Sequence, residues 1–512
     1  MLAATPALLA LVSLCWSWAS PDPQTWDHLR QHLLLGALGN SLLLMLGSAL
    51  GAAVLGTAAA ALVCLCEFRG RRVVEILLVM PLAMPAYVLA YVWLASVDVG
   101  SPLRAFAIQT TSSAAWLPSL RTPLGAIALL SMANYAYVYL LVRARLHTQG
   151  SNLFEAARSQ GLSPLLAFVR GVLPALRPAL AAGVALVMLE SLAEFGAVSV
   201  LGIDTLSVLV YRTWYGLHAL PAATQLASLL LLLALLLAPL ERAGRGRADA
   251  RENAQRSALR PLLLGPAATA AVLLLVALLV LPAFVLPALR LAGWALQTRA
   301  EWPRLFAPML ATAWVAGAAA LAILAAGLAL AAAARLDRIG RSLRQIAGLG
   351  YAVPGVVLAV ALMFVLVATE RALAAHGIVG VALSSSLLAI ALGLLARFVR
   401  VGVAAADSGI SALRPALDEA ARSLGASRPR RILRVQLPLL RPALTGGFLL
   451  AFVECAKELP ITLMLRPFGF DTLAVKVYNA TSEGLWQQAA APALLLCLLG
   501  LLPAIALLRR TR

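Results

Sequence analysis

The sequence predicts an all-α integral membrane protein with about twelve transmembrane helices, and three observations support this fold class. Hydrophobic residues make up 62% of the 512 residues and charged residues only 12%, whereas soluble proteins are roughly 45–50% apolar and about 25% charged. Apolar runs long enough to cross a bilayer, about 20 helical residues, recur along the whole chain. Their leucine, alanine and valine content does not alternate with polar residues, which favours helices over a membrane β-barrel.

Six predicted spans lie in each half of the chain. Those of the first half cover residues 3–19, 40–64, 73–95, 123–142, 179–201 and 222–240, and those of the second half cover 266–286, 307–334, 345–368, 381–403, 443–465 and 489–508. The first run has no basic residues before it and is interpreted as a span and not as a cleaved signal peptide. The third span of each half contains proline, at Pro81, Pro85 and Pro354. Proline bends a helix, and bends at matching places of two repeats are typical of a transport path.

The formal net charge of +19 is distributed unevenly between the two predicted sides of the membrane. Loops assigned to one side, including all basic residues from Arg397 to Arg441, hold 30 of the 41 arginines and lysines, and the opposite side holds ten. Basic residues accumulate in cytoplasmic loops. The bias therefore predicts that the basic loops and the C-terminus are cytoplasmic, beside membrane lipid, and gives no reason to expect nucleic-acid binding.

One long polar segment occurs twice. Residues 155–180 read EAARSQGLSPLLAFVRGVLPALRPAL, and residues 419–444 read EAARSLGASRPRRILRVQLPLLRPAL. The two copies preserve the spacing of a glutamate, a glycine, a proline and an arginine. These residues are Glu155, Gly161, Pro174 and Arg177 in the first copy and Glu419, Gly425, Pro438 and Arg441 in the second.

The duplication defines the domain organisation. Asp204–Leu206 is repeated as Asp471–Leu473, well beyond the polar segments, and a repeat of this length indicates two fused homologous domains rather than a solenoid. We predict six-helix domains over residues 1–240 and 261–512, with the polar segments near 145–178 and 404–442, joined by the charged cytoplasmic linker 241–260. An even number of spans gives both halves the same orientation, as in transporters with parallel repeats.

Each polar segment is predicted to form a helix, a break and a second helix. In the second copy, Asp418 and Glu419 favour a helix start because acidic residues complement the helix dipole, and Gly425 ends that helix. A basic amphipathic segment follows. Such a segment can lie on anionic lipid, but lipid attraction does not explain two preserved Glu-Ala-Ala triplets, and docking into a groove on a partner protein explains them better.

The pattern Glu-Ala-Ala, Gly and Leu-Pro resembles the EAA motif in the membrane subunits of ABC importers. The resemblance implies that each loop is a coupling helix docked on a separate ATPase. Two motifs in one chain imply two ABC-importer permease domains and two copies of the ATPase subunit. The coupling residues implied are Glu155, Ala156, Ala157, Gly161, Glu419, Ala420, Ala421 and Gly425.

The same resemblance implies a bacterial cytoplasmic membrane and a periplasmic or extracellular substrate-binding protein that delivers the substrate. The run from Lys457 to Ala474 is similar to the fused permeases of ferric iron importers, which favours ferric iron over thiamine, a polyamine or a phosphonate. The sequence has no Gly-Lys-Ser or Gly-Lys-Thr to hold phosphates. We therefore expect no cofactor on this chain, no enzymatic activity of its own, and use of ATP and Mg by the partner ATPase.

Charged residues inside predicted spans form a second group of candidates. Glu190 and Glu194, like Glu454 and Glu458, are four residues apart, which places each pair on one helix face. Charges within a bilayer usually face the bundle interior or a water-filled path. Two interpretations remain open: the four carboxylates line the translocation path and offer oxygen ligands to a cation such as Fe3+, or they form a structural network neutralised by Lys457 or a loop arginine.

Two other classes of protein compete with the importer. A secondary transporter would use the intramembrane charges for ion coupling, but it gives no reason for the duplicated Glu-Ala-Ala loop. A membrane enzyme would require a convergent catalytic set, and the five histidines are scattered along the chain.

Overall fold

A computed structural model describes residues 5–19, 22–147, 151–249, 262–336, 338–413 and 415–510. Almost all of these residues are helical, because apolar spans satisfy their backbone groups internally only as helices. The helices before the predicted linker are α1 Thr5–Trp16, α2 Pro23–His28, α3 Leu34–Leu65, α4 Arg71–Leu77, α5 Ala86–Val97, α6 Pro102–Thr111, α7 Pro123–Arg145, α8 Ser151–Ser159, α9 Pro164–Leu166, α10 Leu173–Ala193, α11 Gly196–Leu201, α12 Leu206–Tyr215 and α13 Leu220–Asp249.

The second half repeats this order. Its helices are α14 Pro266–Val280, α15 Leu286–Gln297, α16 Phe306–Leu336, α17 Arg338–Leu349, α18 Gly355–Ala375, α19 Leu387–Ala412, α20 Pro415–Ser423, α21 Arg428–Arg431, α22 Leu437–Lys457, α23 Pro460–Leu465, α24 Leu473–Ser482 and α25 Ala490–Arg510. Four 3-10 segments (17–19, 80–83, 299–305 and 350–352) and four π segments (29–33, 167–172, 281–285 and 432–436) join or extend them.

All twelve predicted spans correspond to helices. Within the described residues, nine helices are long and apolar enough to cross a membrane, a bent pair over residues 71–97 forms a tenth, and two shorter apolar helices, Leu8–Ala19 and Ala490–Leu501, correspond to the first and last predicted spans. The prediction of an all-α membrane protein is confirmed.

Equivalent helices pack into a bundle in each half. In the first half α3, α7, α10 and α13 pack together, and in the second half α16, α19 and α22 do the same, with α25 against α22. Small residues allow close approach, as is common between membrane helices. At Gly327 and Gly402 the backbones of α16 and α19 come so near that a Cβ at either glycine would overlap the other helix.

The first helices of the two halves each contact the opposite half. Helix α1 of the first half packs against α18 of the second, and α15 of the second half packs against α5 of the first. The chain also pairs β1, Cys66–Glu67, with β2, Leu262–Leu263, as a two-residue parallel ladder. These contacts join the halves into one bundle.

Proline breaks the third span of each half, as predicted. In the first half, α4 with its 3-10 turn and α5 meet at an angle of 91°, and α5 starts after Pro85. In the second half, α18 starts after Pro354, whose backbone angles are nearly identical to those of Pro85.

Two further predicted spans are not continuous helices. The predicted span 179–201 is divided between α10 and α11, and the predicted span 443–465 between α22 and α23. Glu194 and Glu458 stand at the breaks in extended conformation, with ψ of 126° and 122°. The helical spacing predicted from the sequence holds as far as these two residues, whose φ of −66° and −67° is still helical, and the chain leaves the helix directly after them.

The start of the predicted linker is also helical. Helix α13 continues to Asp249, because the alanine, arginine and glutamate residues after position 240 are good helix formers. Residues 250–260 of the predicted linker lie outside the described residues.

Candidate functional site

A cavity of about 150 Å3 lies where the two halves meet, and its walls contain every intramembrane charge singled out in the sequence. The first half contributes the break after α4 and parts of α5, α7 and α10, and the second half contributes α19 and the break between α22 and α23. The charged lining residues are Glu190, Glu194, Arg397, Glu454, Lys457 and Glu458. The cavity is large enough to hold several water molecules.

Two of the glutamates cap short helices. Glu194 Oε1 accepts a hydrogen bond from the Ala197 backbone N–H at 2.8 Å, at the start of α11. Glu458 Oε2 accepts from the N–H groups of Ile461 and Thr462 at 2.9 and 3.3 Å, at the start of α23. A carboxylate at a helix N-terminus satisfies free N–H groups and complements the helix dipole, which explains why each helix breaks at a glutamate.

Two ion pairs neutralise the glutamates of the second half. Lys457 Nζ lies 3.3 Å from Glu454 Oε1, and Arg397 Nη1 lies 3.5 Å from Glu458 Oε1. Lys457 also donates to the Leu82 carbonyl at 3.4 Å, in the 3-10 turn of the first half. That contact connects the second half to the broken helix of the first.

The position of Arg397 corrects the sequence analysis. We counted this residue among the cytoplasmic loop arginines, but it lies in the interior of α19 and faces the cavity. Its guanidinium group can remain in the apolar span because Glu458 compensates its charge. The sequence held the signal, because Arg397 falls inside the predicted span 381–403.

The glutamates of the first half have no such partner. Within the part of the chain that the structure describes, no lysine or arginine forms an ion pair with Glu190 or Glu194. Ion pairs of the kind expected for the second interpretation, a structural network neutralised by Lys457 or an arginine, are therefore formed by the glutamates of the second half.

Uncharged polar groups that the sequence analysis did not single out also line the cavity. Asn134, Tyr87 and Tyr137 all come from the first half. Tyr87 is only 5% exposed, and its hydroxyl has no hydrogen-bond partner among the described residues. No group of three or more His, Cys, Asp or Glu side chains in the described ranges is arranged to hold a metal ion.

The repeated polar segments form a second candidate site, and their predicted local structure is confirmed. Helices α8 and α20 each end two residues before a glycine, and these glycines, Gly161 and Gly425, adopt φ of +83° and +72°. The backbone closes equivalently in both: the N–H of Leu162 donates to Ala157 O at 3.4 Å, and the N–H of Ala426 donates to Ala421 O at 3.0 Å. These bonds are typical of a glycine-terminated helix.

These helices present charged and apolar groups to their surroundings. Glu155, Ala156 and Gly161 are exposed in the first copy, as are Glu419, Ala420 and Gly425 in the second. Leu424 beside Gly425 is 87% exposed. By contrast Ala157 is buried, with its side chain close to Gly171, and Ala421 is partly buried. The triplet therefore uses its last alanine for packing and leaves the glutamate and first alanine accessible.

The fold and these two sites define a multi-pass transport permease with two homologous halves. The family of the binding-protein-dependent transport system inner membrane component matches residues 52–289 and 318–510. The chain belongs to this family, and the importer family predicted from the duplicated motif is confirmed.

Three relatives show which permeases the chain is similar to. It is 24% identical over 481 residues to an Fe(3+)-transport system permease protein of Haemophilus influenzae, covering 92% of this chain and 89% of that protein. It is 30% identical over 231 residues to a sulfate transport system permease protein of Salmonella typhimurium, covering 43% of this chain and 78% of that protein. A putative 2-aminoethylphosphonate transport system permease protein of Salmonella typhimurium is 32% identical over 96 residues, 19% of this chain and 36% of that protein.

Proposed function

We propose that this chain is the fused membrane subunit of an ATP-driven importer for ferric iron. The supporting observation is the cavity between the halves, where Glu190 and Glu194 provide carboxylate oxygens that form no ion pair within 4.0 Å among the described residues. Carboxylates are ligands that hard cations prefer. The similarity of nearly the whole chain to an Fe(3+)-transport permease is consistent with this assignment.

The charge arrangement favours a cation over an anion. Arg397 and Lys457 are the cavity groups that could attract sulfate or a phosphonate, and each already pairs with a glutamate. An anion would have to displace these contacts while it approached Glu190 and Glu194. The similarity to sulfate and 2-aminoethylphosphonate permeases makes an anion the second candidate substrate.

The five charged residues proposed from the sequence, Glu190, Glu194, Glu454, Lys457 and Glu458, are assigned to the translocation path. The exposed helices α8 and α20 are assigned to docking of two ATPase subunits, through Glu155, Ala156 and Gly161 and through Glu419, Ala420 and Gly425. The buried Ala157 and the partly buried Ala421 lie on the inner faces of these helices and pack them against the rest of the protein. In this scheme both loops, the linker and the C-terminus are cytoplasmic, and ATP and Mg are used by the partner chains.

A substrate-binding protein on the opposite side of the membrane completes the proposed importer. It would release substrate toward the cavity when the two halves open on that side. Closure of the ATPase subunits would then move α8 and α20 and reverse the access, as in transporters whose halves rock against each other. The permease would perform no covalent chemistry.

Reconstitution in proteoliposomes tests this function. The permease is combined with candidate ATPase and substrate-binding proteins of the same organism, and uptake of 55Fe3+, 35S-sulfate and 2-aminoethylphosphonate is measured with and without ATP inside the vesicles. We expect uptake of iron that requires ATP. Uptake of an anion but not of iron would overturn the assigned substrate, and iron uptake without ATP would indicate a secondary transporter.

A further inference from the structure

The two halves of the cavity carry different residues at equivalent positions. The spacing that relates Glu190 to Glu454 and Glu194 to Glu458 also relates Ala133 to Arg397 and Ala193 to Lys457. All eight residues line the cavity. Both cations of the cavity thus replace alanines, and both belong to the second half.

The backbone of the second half is adapted to one of these cations. Helix α5 begins with Ala86 after Pro85, whereas α18 begins with Gly355 after Pro354. A Cβ at Gly355 would overlap both Nη1 of Arg397 and Oε1 of Glu458. The Arg397–Glu458 pair therefore occupies space that the first half gives to a methyl group.

Uncharged polar side chains, in contrast to the two cations, belong to the first half, where the second half has apolar residues. Asn134 of the first half corresponds to Phe398 of the second, and both line the cavity. Tyr87, which follows Ala86, corresponds to Val356, which follows Gly355. Tyr87 is buried in the cavity wall with its hydroxyl unpartnered among the described residues. An unpaired buried hydroxyl costs free energy unless something binds it, so a ligand in the cavity that accepts a hydrogen bond from Tyr87 or donates one to it would remove this cost.

We propose that the cavity is a one-sided cation site. Glu190 and Glu194 are the carboxylates that contact the transported cation, with the oxygens of Tyr87 and Asn134 beside them. Arg397 and Lys457 are positioning residues that hold Glu458 and Glu454 in internal ion pairs and so prevent the second half from binding. Two carboxylates give a weak site, as passage requires, since a tight site would retain the ion. This inference rests on the proposed cation transport.

The most direct test introduces a lysine into the first half at Ala193, the position equivalent to Lys457. Ala193→Lys places an ammonium three residues after Glu190, the spacing by which Lys457 reaches Glu454. We expect this variant to lower ATP-dependent 55Fe3+ uptake about tenfold, the change that about 1.4 kcal/mol produces. Ala193→Met, of similar size and without charge, is the matched control. Equal uptake by the two variants would overturn the one-sided site while leaving iron transport by the wild type intact.

A binding measurement on the purified permease separates this inference from the transport assay. Tb3+, a hard trivalent cation whose luminescence is sensitised by nearby tyrosine, is titrated into monodisperse protein. We expect Glu190→Gln to weaken Tb3+ binding about tenfold and Lys457→Met to strengthen it, because Glu454 is then released. A purely structural role for Lys457 predicts no gain. If Lys457→Met fails to strengthen binding, or if Glu190→Gln leaves it unchanged, the inference is wrong. A wild-type complex that takes up no iron would instead refute the proposed substrate.

Discussion

A Cβ placed on Gly355 would overlap the Nη1 atom of Arg397. The contact joins the start of α18 to the interior of α19 at the point where Arg397 meets Glu458. A side chain at this position would therefore have to displace the ion pair, whereas the backbone angles place no demand for glycine. The same feature of the fold, a helix start after a proline, tolerates alanine in the first half, where no cation is present.

Gly355→Ala should destabilise the permease. The added methyl group must displace Arg397 or the start of α18, and overpacking of this kind costs about 1–3 kcal/mol. We expect a lower apparent melting temperature of the purified protein in detergent. Ala86→Gly, the reverse change at the equivalent position, is the control and should shift the melting temperature much less. An unchanged melting temperature for Gly355→Ala would show that the two helices adjust without cost.

Removal of Arg397 should be more damaging than removal of the whole ion pair. Arg397→Met leaves the Glu458 carboxylate, which is 6% exposed, without its counter-ion, and breaking a buried pair from one side costs about 3–5 kcal/mol. The double variant Arg397→Met with Glu458→Gln removes both charges and should recover much of the melting temperature. Equal destabilisation by the single and double variants would contradict the pairing.

Charge reversal at the two exposed helices should weaken association with the ATPase. Glu155 and Glu419 are exposed on α8 and α20, so Glu155→Lys and Glu419→Lys leave the bundle folded. Each should lower the affinity for the ATPase subunit about tenfold, measured by co-purification at increasing salt. Glu155→Gln and Glu419→Gln are controls that separate loss of charge from reversal. A double lysine variant that still couples ATP hydrolysis to uptake would show that these loops are not the coupling site.

The loop between α5 and α7 should loosen at acid pH. Asp98 Oδ2 lies 2.9 Å from Arg121 Nη2 and so closes this loop. Partial burial acts to raise the pKa of Asp98, but the Val99 backbone N–H and the Arg121 guanidinium outweigh it and lower the pKa. Because the pKa of Asp98 is lowered in the folded state, its ionised form stabilises the loop at pH values above the unfolded-state pKa of about 3.9. This stabilisation is lost as the pH falls from there through the folded-state pKa. Hydrogen exchange in residues 99–120 should therefore rise below about pH 4.

Asp98→Asn provides the comparison for the acid effect. This variant lacks the titrating carboxylate, so exchange in the loop, after correction for intrinsic rates, should already be fast at neutral pH and change little on acidification. If the wild type and the variant respond to acid alike, the Asp98–Arg121 pair does not control the loop.

The sequence by itself determined the class of fold, the duplication and the local form of the repeated polar segments. These properties depend on features within one stretch of chain: an apolar run long enough to span the bilayer, prolines such as Pro85 and Pro354 that break a helix, and glycines such as Gly161 and Gly425 that end one. The repeated polar segment also indicated the protein family, because few other kinds of protein carry two EAA motifs in one chain.

Only the tertiary structure decided which charges meet. Glu194 and Glu458 stand where their helices end, and each carboxylate caps the next helix, an outcome that helical spacing does not reveal. Arg397 and Glu458 are 61 residues apart in sequence and become partners through the packing of α19 on α22. The asymmetry of the cavity likewise arises between elements, because neutralisation depends on distances between side chains from different helices, and those distances are fixed only when the two halves pack together.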